Sequence, residues 1–534
     1  MDWLLWEVMF GNGLMIKNNN LNSPYDVIII GSGISGLCCG ALLSMEGKRV
    51  MVLEKHFKIG GYTHTFKRKG FEWDVGIHYV GSVHNKKSFT RRLFDKISDN
   101  NLKWEKMSDN YDRMIFPDKT YDFIAPKKKF IEMMKNYFPE NIKEIDTYIS
   151  LIGKVNNSAM KYFSAKALSG ISEKLFRGYL TREFLKYSNM TTYNGLKSII
   201  SNEKLIAVLA GQWGDYGMPP KESSFVMHCM IVNHYFDGAS YPVGGSSTIA
   251  KTIVSVIEKN GGEVFASKGV KKVWIENFIA KGVILESGEK IPSLTVISSA
   301  GVNNTLTKFL PNIEKLKNYK KNLNYVKPSS GHACLYVGLN KSAKALGITD
   351  TNLWIYPSYD HDDNVKKFKK NQDCDFPVLY MSFASSKDPE WNKKNKDLST
   401  MEVIVPSIFD HYKKWSKKPW KKRGKSYEMY KQILCERIIQ SIYIHCPQLK
   451  GEISYYELST PLSTKSMANY DYGELYGIDH DPNRFNQKWL KPKTPIKNLF
   501  LTGQDILTVG IAGALASGVL TSSVLLGKNL FKKI

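Results

Sequence analysis

The sequence has no cysteine pattern of the kind a disulfide framework or a zinc site needs. Its seven cysteines (Cys38, Cys39, Cys229, Cys334, Cys374, Cys435 and Cys446) are odd in number, scattered and without C-x-x-C spacing among 534 residues. That favours a reducing compartment and leaves no metal site to expect. Negative charge is scarce: 50 Asp and Glu stand against 75 Lys and Arg, a formal net charge of +25. No nucleic-acid motif accompanies the widely spread lysines, so nucleic acid is not an expected partner. The excess suits either an anionic membrane surface or a solvated lysine-rich surface.

A good signal peptide is also missing. Residues 1–17 are apolar in patches but lack a positive leader and a long apolar core. They read as a membrane-interface segment or a loose tail, with residues 18–24 as a linker. Residues 506–527 carry no charge over 22 positions, which on length alone suits a bilayer span. Their wealth of Gly, Ala, Ser and Thr instead predicts a buried helix against a bulky cofactor. The expected location is therefore cytoplasmic and peripheral to a membrane. The sharpest membrane signal is residues 413–423, where lysines interleave with Trp415 and Trp420; a solvated loop is the plainer alternative.

What is present centres on residues 26–65. An apolar β-branched run, Val27-Ile28-Ile29-Ile30, reads as a strand buried on both faces. Gly31-Ser32-Gly33-Ile34-Ser35-Gly36 follows, then a helical stretch, a second strand Val50-Met51-Val52-Leu53, and Glu54. Gly31 permits the turn, Gly33 lets the backbone approach a pyrophosphate, and Gly36 lets the helix pack on the strand. The helix N-terminus then points free N–H groups at phosphate. Glu54 suits a ribose diol and repels a 2′-phosphate, so the adenosine half belongs to FAD or NAD and not NADP. Gly60-Gly61, just after the acidic residue, tips the choice to FAD.

The length suits two domains, interleaved. The expected division is an N-terminal tail (1–24), FAD-binding parts at 25–85, 226–305 and 456–534, and substrate-domain parts at 86–225 (helical) and 306–455 (sheet and basic loop). Residues 70–81 alternate like a strand carrying His78 and Tyr79. Gly244-Gly245-Ser246-Ser247 reads as a glycine turn with a serine capping a helix to about Lys259. A strand, a hairpin and a strand ending in Ala300-Gly301 then complete the dinucleotide sheet. Near the C-terminus, Leu501-Thr502-Gly503-Gln504-Asp505 is a strand and turn that places Asp505 on the flavin ribitol, and the following helix directs its positive end at the flavin's pyrimidine side. The fold class is α/β: a Rossmann-type, glutathione-reductase-like FAD domain interleaved with an α+β substrate domain.

These motifs, with Gly76-Ile77-His78-Tyr79, Val232-Asn233-His234-Tyr235, Lys387-Asp388-Pro389 with Trp391, and Tyr476-Gly477 with Asp479-His480-Asp481, resemble the FAD-dependent phytoene desaturase and carotenoid isomerase superfamily. Within it the likeness is closest to the retinol saturase group and runs over nearly the whole chain. The resemblance implies a flavin site comprising Gly31, Gly33, Ser35, Gly36, Glu54, Lys55, Gly61, Tyr62, Val270, Gly503, Asp505 and Ile511. It also implies a hydride passed from flavin to one carbon of a polyene double bond, with a proton reaching the other. His78 and Tyr79 are the expected catalytic pair, with His228, His234 and Tyr235 as weaker candidates.

Four readings stay open on sequence alone: a saturase of a polyene or unsaturated lipid, a carotenoid or polyunsaturated fatty acid isomerase using reduced FAD, a desaturase, and a lipid-sequestering flavoprotein. The partners are a hydrophobic polyene substrate and an electron donor or reductase of unknown identity, since no second nucleotide fingerprint is visible.

Overall fold

The structure is a computed structural model that describes residues 25–534. The expectations for residues 1–24 lie outside the described residues.

Five parallel strands form the first sheet, in the order Glu263–Phe265, Val50–Leu53, Tyr25–Ile30, Lys290–Ser298, Leu499–Leu501. The β-branched run of the first strand lies at its centre, with Ile29 opposite Val52 on one side and Ile297 on the other. The early half of Lys290–Ser298 also pairs with an antiparallel hairpin, Val270–Glu276 and Ile279–Leu285. Three distant pieces of chain thus close one Rossmann-type sheet, as the patterning predicts.

Helix Ile34–Met45 covers one face of that sheet, and the uncharged C-terminal run forms helix Gly510–Leu526 packed against it. The approach is close: a Cβ on Gly518 would sit 2.8 Å from the Cys38 Cβ. Among the described residues no helix is long and apolar enough to cross a membrane.

The second sheet has seven strands, in the order Ile453–Ser459, Gly331–Leu339, Ser399–Ser407, Leu379–Ser382, Asn352–Ile355, Asn110–Ile115, Thr120–Ile124. All neighbours are antiparallel except Asn352–Ile355 with Asn110–Ile115. Helices Ile142–Ala165, Gly170–Ser188 and Phe225–Tyr235 pack on one another and share an aromatic-rich core with that sheet.

Four local expectations are corrected. The stretch read as helical contains three strands, Trp104–Lys106, Asn110–Ile115 and Thr120–Ile124; their short polar alternation is a weak signal beside the long helices that follow. Residues 70–81 are not one strand but two, Phe71–Asp74 and Val80–Gly81, with His78 and Tyr79 in the irregular link between them. Ser246 precedes helix Ser247–Lys259 but its side chain caps nothing; its N–H instead donates to buried Asp74 at 3.0 Å. In the basic stretch, Trp415 is buried against Tyr412, Tyr427 and Leu462, and Arg423 is buried with its guanidinium donating to the Leu462 carbonyl. Of the two tryptophans only Trp420 is exposed, so they do not form a paired interface anchor.

Candidate active site

The turn after the first strand makes a cradle for a dinucleotide. Helix Ile34–Met45 starts with no side-chain cap and no acidic residue in its first turn, so its leading N–H groups are free for an anion. A Cβ on Gly36 would lie 2.2 Å from the Gly31 carbonyl oxygen, which explains glycine there as a packing need. A Cβ on Gly33 would meet nothing within 4 Å: space is left open where a pyrophosphate belongs. Gly61 closes over this turn, its own Cβ position 3.0 Å from the Gly33 Cα.

Glu54 directly follows the second strand and stabilises the turn. It accepts from the Ser32 N–H at 2.8 Å and the Ser32 hydroxyl at 2.7 Å, and its other oxygen accepts the His56 N–H at 2.8 Å. Ser35 shares a hydroxyl contact with Ser299 at 2.8 Å, beside Gly503. The Gly503 N–H donates to Ser517 in the C-terminal helix at 2.9 Å. Lys55 is paired at the surface with Glu286 at 2.7 Å, and Val270 opens the hairpin beside it. The Tyr62 hydroxyl is buried and has no partner among the described residues, a polar atom left for a ligand to satisfy. Asp505 is buried, its two oxygens accepting the Val302 and Ile478 N–H groups at 2.8 and 3.0 Å. Open cradle, uncapped helix and orphaned hydroxyl together fit a dinucleotide such as FAD.

From the start of the C-terminal helix, where Val509 to Gly513 form part of its wall, a cavity of about 760 Å³ runs to the second sheet. Ile511 lies on this wall, so the flavin-site expectation and the cavity meet. The volume falls in the upper part of the roughly 300–1,000 Å³ typical of small-molecule sites. Apolar and aromatic side chains dominate, among them Met227, Ile231, Trp354, Phe368, Tyr380 and Ile408.

His78 and Tyr79 both reach this cavity. The structure shows what holds them. Lys387, buried, donates to the His78 carbonyl at 3.0 Å and to the Ser382 hydroxyl at 2.7 Å, and lies 5.8 Å from the Tyr79 ring centre. Burial pulls its ammonium down to about 8. Burial, with Lys387 beside it, pushes His78 down to about 3, so its imidazole is neutral. His78 Nδ1 lies 4.0 Å from Glu402 and has no hydrogen bond. Burial, with the Asp74 charge, raises the Glu402 carboxyl well above its usual range.

The Tyr79 hydroxyl sits between two carboxyl groups, 3.1 Å from Asp112 and 3.2 Å from Asp215. Its ring stacks on Tyr235 at 4.6 Å. Of the other histidines, His234 reaches the cavity, and its Nε2 accepts the Gly81 N–H at 2.9 Å. His228 is buried elsewhere against the Tyr148 hydroxyl at 2.9 Å. Among the described residues no group of three or more His, Cys, Asp or Glu could hold a metal ion.

Sequence reasoning missed Asp112, Asp215 and Glu402. Lys387 was legible only as part of a motif, without a role. Nothing local marks the acids: Asp215 sits in a short 3-10 segment, Ala210–Tyr216, and Glu402 in the middle of an apolar strand. An acid inside an otherwise apolar strand was the one available signal.

Residues 29–97 match the NAD(P)-binding Rossmann-like domain family. The chain is 34% identical over 536 residues to the all-trans-retinol 13,14-reductase of Homo sapiens, covering 97% of this chain and 88% of that one. A Danio rerio protein named inactive all-trans-retinol 13,14-reductase is 30% identical, over 96% of this chain and 87% of its own. At 24% identity, over 85% of this chain, stand a 4,4′-diapophytoene desaturase of Methylomonas sp (85% of its length) and a prolycopene isomerase of an Oncidium hybrid cultivar (75%). Among solved structures, a double mutant of putrescine oxidase superposes with a TM-score of 0.62 at 14% identity, over 94% of this chain and 99% of its own, a likeness of fold. With the dinucleotide cradle, the apolar cavity beside it and a 34% relative spanning nearly its whole length, the chain belongs to the all-trans-retinol 13,14-reductase family, FAD-dependent oxidoreductases of the phytoene desaturase and carotenoid isomerase superfamily.

Proposed function

We propose that this protein reduces one carbon–carbon double bond of a polyene lipid of the retinoid class, drawing the hydride from reduced FAD. The observation that carries this reading is the apolar, aromatic-walled cavity that joins the start of helix Gly510–Leu526 to an acid-bearing wall at Tyr79 and Asp215. An isolated polyene has no carbonyl to polarise, so the wall's task is to position the chain and exclude water. Reduction consumes a proton and isomerisation does not, so buried acids at the cavity favour the reductase over the isomerase. Gly31 to Gly36, Glu54, Gly61, Tyr62, Gly503 and Asp505 hold the cofactor.

A lipid substrate enters from a membrane or a carrier. Met160, Ile171, Leu175 and Tyr179 form an exposed apolar patch on helices Ile142–Ala165 and Gly170–Ser188, each at least 68% exposed. Phe163, three residues beyond Met160, lines the cavity. This patch replaces the basic stretch as the surface that meets a bilayer. The electrons come either from NAD(P)H at a transient site or from a separate reductase.

The test is anaerobic reduction of the purified yellow protein, followed by addition of all-trans-retinol or a poly-cis carotenoid and mass spectrometry of the products. A product heavier by two hydrogens, with flavin reoxidised in step, is expected with retinol. Unchanged mass with altered retention would assign an isomerase instead.

A further inference from the structure

We propose that Asp215 is the acid that delivers the proton in this reduction. The inference rests on the reading of polyene reduction above and names a residue for which the sequence offered no signal. The Tyr79 hydroxyl lies within 3.2 Å of a carboxyl oxygen on each of Asp112 and Asp215. It carries one hydrogen and can serve one of them. The other oxygen must bring its own hydrogen or face the phenol oxygen lone pair to lone pair.

The surroundings decide which carboxylate is ionised. Asp112 is fully buried and accepts from the Gln212 amide at 2.8 Å and the Asn352 amide at 3.0 Å. With the Tyr79 hydroxyl it has three donors, the setting of a carboxylate anion. Among the described residues Asp215 has Tyr79 alone as side-chain hydrogen-bond partner, and it faces the cavity. It lines the same cavity as Tyr79, Tyr235 and Tyr380, with the Asp112 charge nearby. Burial and that charge both push its carboxyl well above the usual range. Asp215 is therefore the neutral acid of the pair. The arrangement is a buried carboxyl kept protonated at neutral pH by an ionised neighbour, one of the ways proteins tune an acid for proton transfer.

The other candidates are less suited. His78 is neutral, with burial holding it near 3. The Tyr79 hydrogen is committed to Asp112, and burial beside two acids raises the phenol further above its ordinary range. Tyr79 is a positioning residue: it spaces the two carboxyls and accepts the Asp215 hydrogen bond while the acid waits.

A hydride adds to one carbon of the double bond, the π electron pair forms a new C–H bond at the other carbon with the Asp215 proton, and Asp215 is left as carboxylate. The two electrons come from the reduced flavin, and one solvent proton taken up through the cavity restores the acid.

The test uses the purified flavin-loaded protein and its Asp215→Asn and Asp215→Glu variants, each checked for bound flavin. Infrared difference spectra of the resting proteins, in water and deuterium oxide, are expected to show a protonated-carboxyl band in the wild type that Asp215→Asn lacks. In single turnover of the pre-reduced protein with all-trans-retinol, Asp215→Asn is expected to slow flavin reoxidation by about 10²- to 10⁴-fold, the usual contribution of a general acid. Retinol binding should persist, and Asp215→Glu should recover part of the rate. A band unchanged in Asp215→Asn would overturn the assignment of the proton. Turnover by Asp215→Asn at the wild-type rate would overturn the donor role. A wild type that shows the band but reduces no polyene would instead remove the reduction reading, and the donor role with it, while leaving Asp215 as a protonated buried acid.

Discussion

Asp505 is tied to Val302 across 203 positions of sequence, its Oδ2 accepting the Val302 N–H at 2.8 Å. Its Oδ1 accepts the Ile478 N–H at 3.0 Å. One carboxylate thus joins the end of the Rossmann strand Lys290–Ser298, the turn at Gly477 and the start of the C-terminal segment. Asp505→Ala leaves two buried N–H groups unpaired, each costing about 1–3 kcal/mol. The expected result is a loss of stability of about 2–6 kcal/mol together with loss of flavin. Urea unfolding and the flavin absorbance of the purified variant measure the two effects separately. Flavin lost without any change in stability would mean that the two N–H contacts carry no structural load.

Gly33 separates cofactor binding from folding. Its backbone is extended, at φ −59° and ψ 165°, a region open to any residue, and a Cβ there meets no protein atom within 4 Å. Gly33→Val should therefore fold with a stability close to that of the cofactor-free wild type and should bind no flavin, because the added methyls fill the pyrophosphate space. Thermal unfolding of the two proteins stripped of cofactor, alongside their flavin content, checks this. A yellow Gly33→Val protein would remove the pyrophosphate from this turn.

These cases show what was legible in advance and what was not. The cradle was legible because its chemistry is local: Gly31, Gly33, Gly36 and Glu54 lie within 24 positions and each spacing has one geometric reason. The acid cluster was not, because Tyr79, Asp112, Asp215 and Lys387 come from four separate parts of the chain and meet only when the second sheet forms. His78 and Tyr79 were found through a motif, but the motif could not say that His78 would be neutral. Trp415 and Arg423 were misread because interleaved Lys and Trp look alike on an interface and on a folded loop. The partners that bury them, Tyr427 and Leu462, come later in the chain.

The buried histidines set a pH dependence. His228 is outside the cavity, bonded to the Tyr148 hydroxyl, and burial lowers it from 6.5 to about 3. Between those values the unfolded chain binds a proton there that the folded protein does not. The contribution of this site to stability is therefore full above pH 6.5 and falls as pH drops toward 3, by about 1.4 kcal/mol per pH unit. Asp112, Asp215 and Glu402 are shifted upward and act in the opposite sense at low pH, so the whole-protein slope is smaller than the histidines alone would give. His228→Asn should flatten the acid limb of the stability curve by about one proton. Urea midpoints from pH 7 to pH 4 measure it, and an unchanged slope would mean that His228 takes up a proton in the folded state.

The apolar patch on helix Gly170–Ser188 should govern access to a bilayer. Ile171, Leu175 and Tyr179 are spaced four apart, so they share one helix face, and all three are at least 68% exposed. Lys161 reaches over the Tyr179 ring at 5.9 Å, a charge positioned to meet lipid phosphate while its stem lies on the apolar surface. Burying three such side chains in the headgroup boundary is worth several kcal/mol, at about 1.5–3 kcal/mol for each fully buried side chain. The triple variant Ile171→Ser, Leu175→Ser, Tyr179→Ser removes that gain without touching the cavity. It should lose sedimentation with vesicles of mixed neutral and anionic lipid, keep its flavin, and keep single-turnover reduction of retinol presented in detergent. Trp420→Ser, in the basic stretch, should sediment as the wild type does. The reverse outcome, with the triple variant still bound and Trp420→Ser released, would return the membrane surface to the basic stretch and sever the patch from substrate entry.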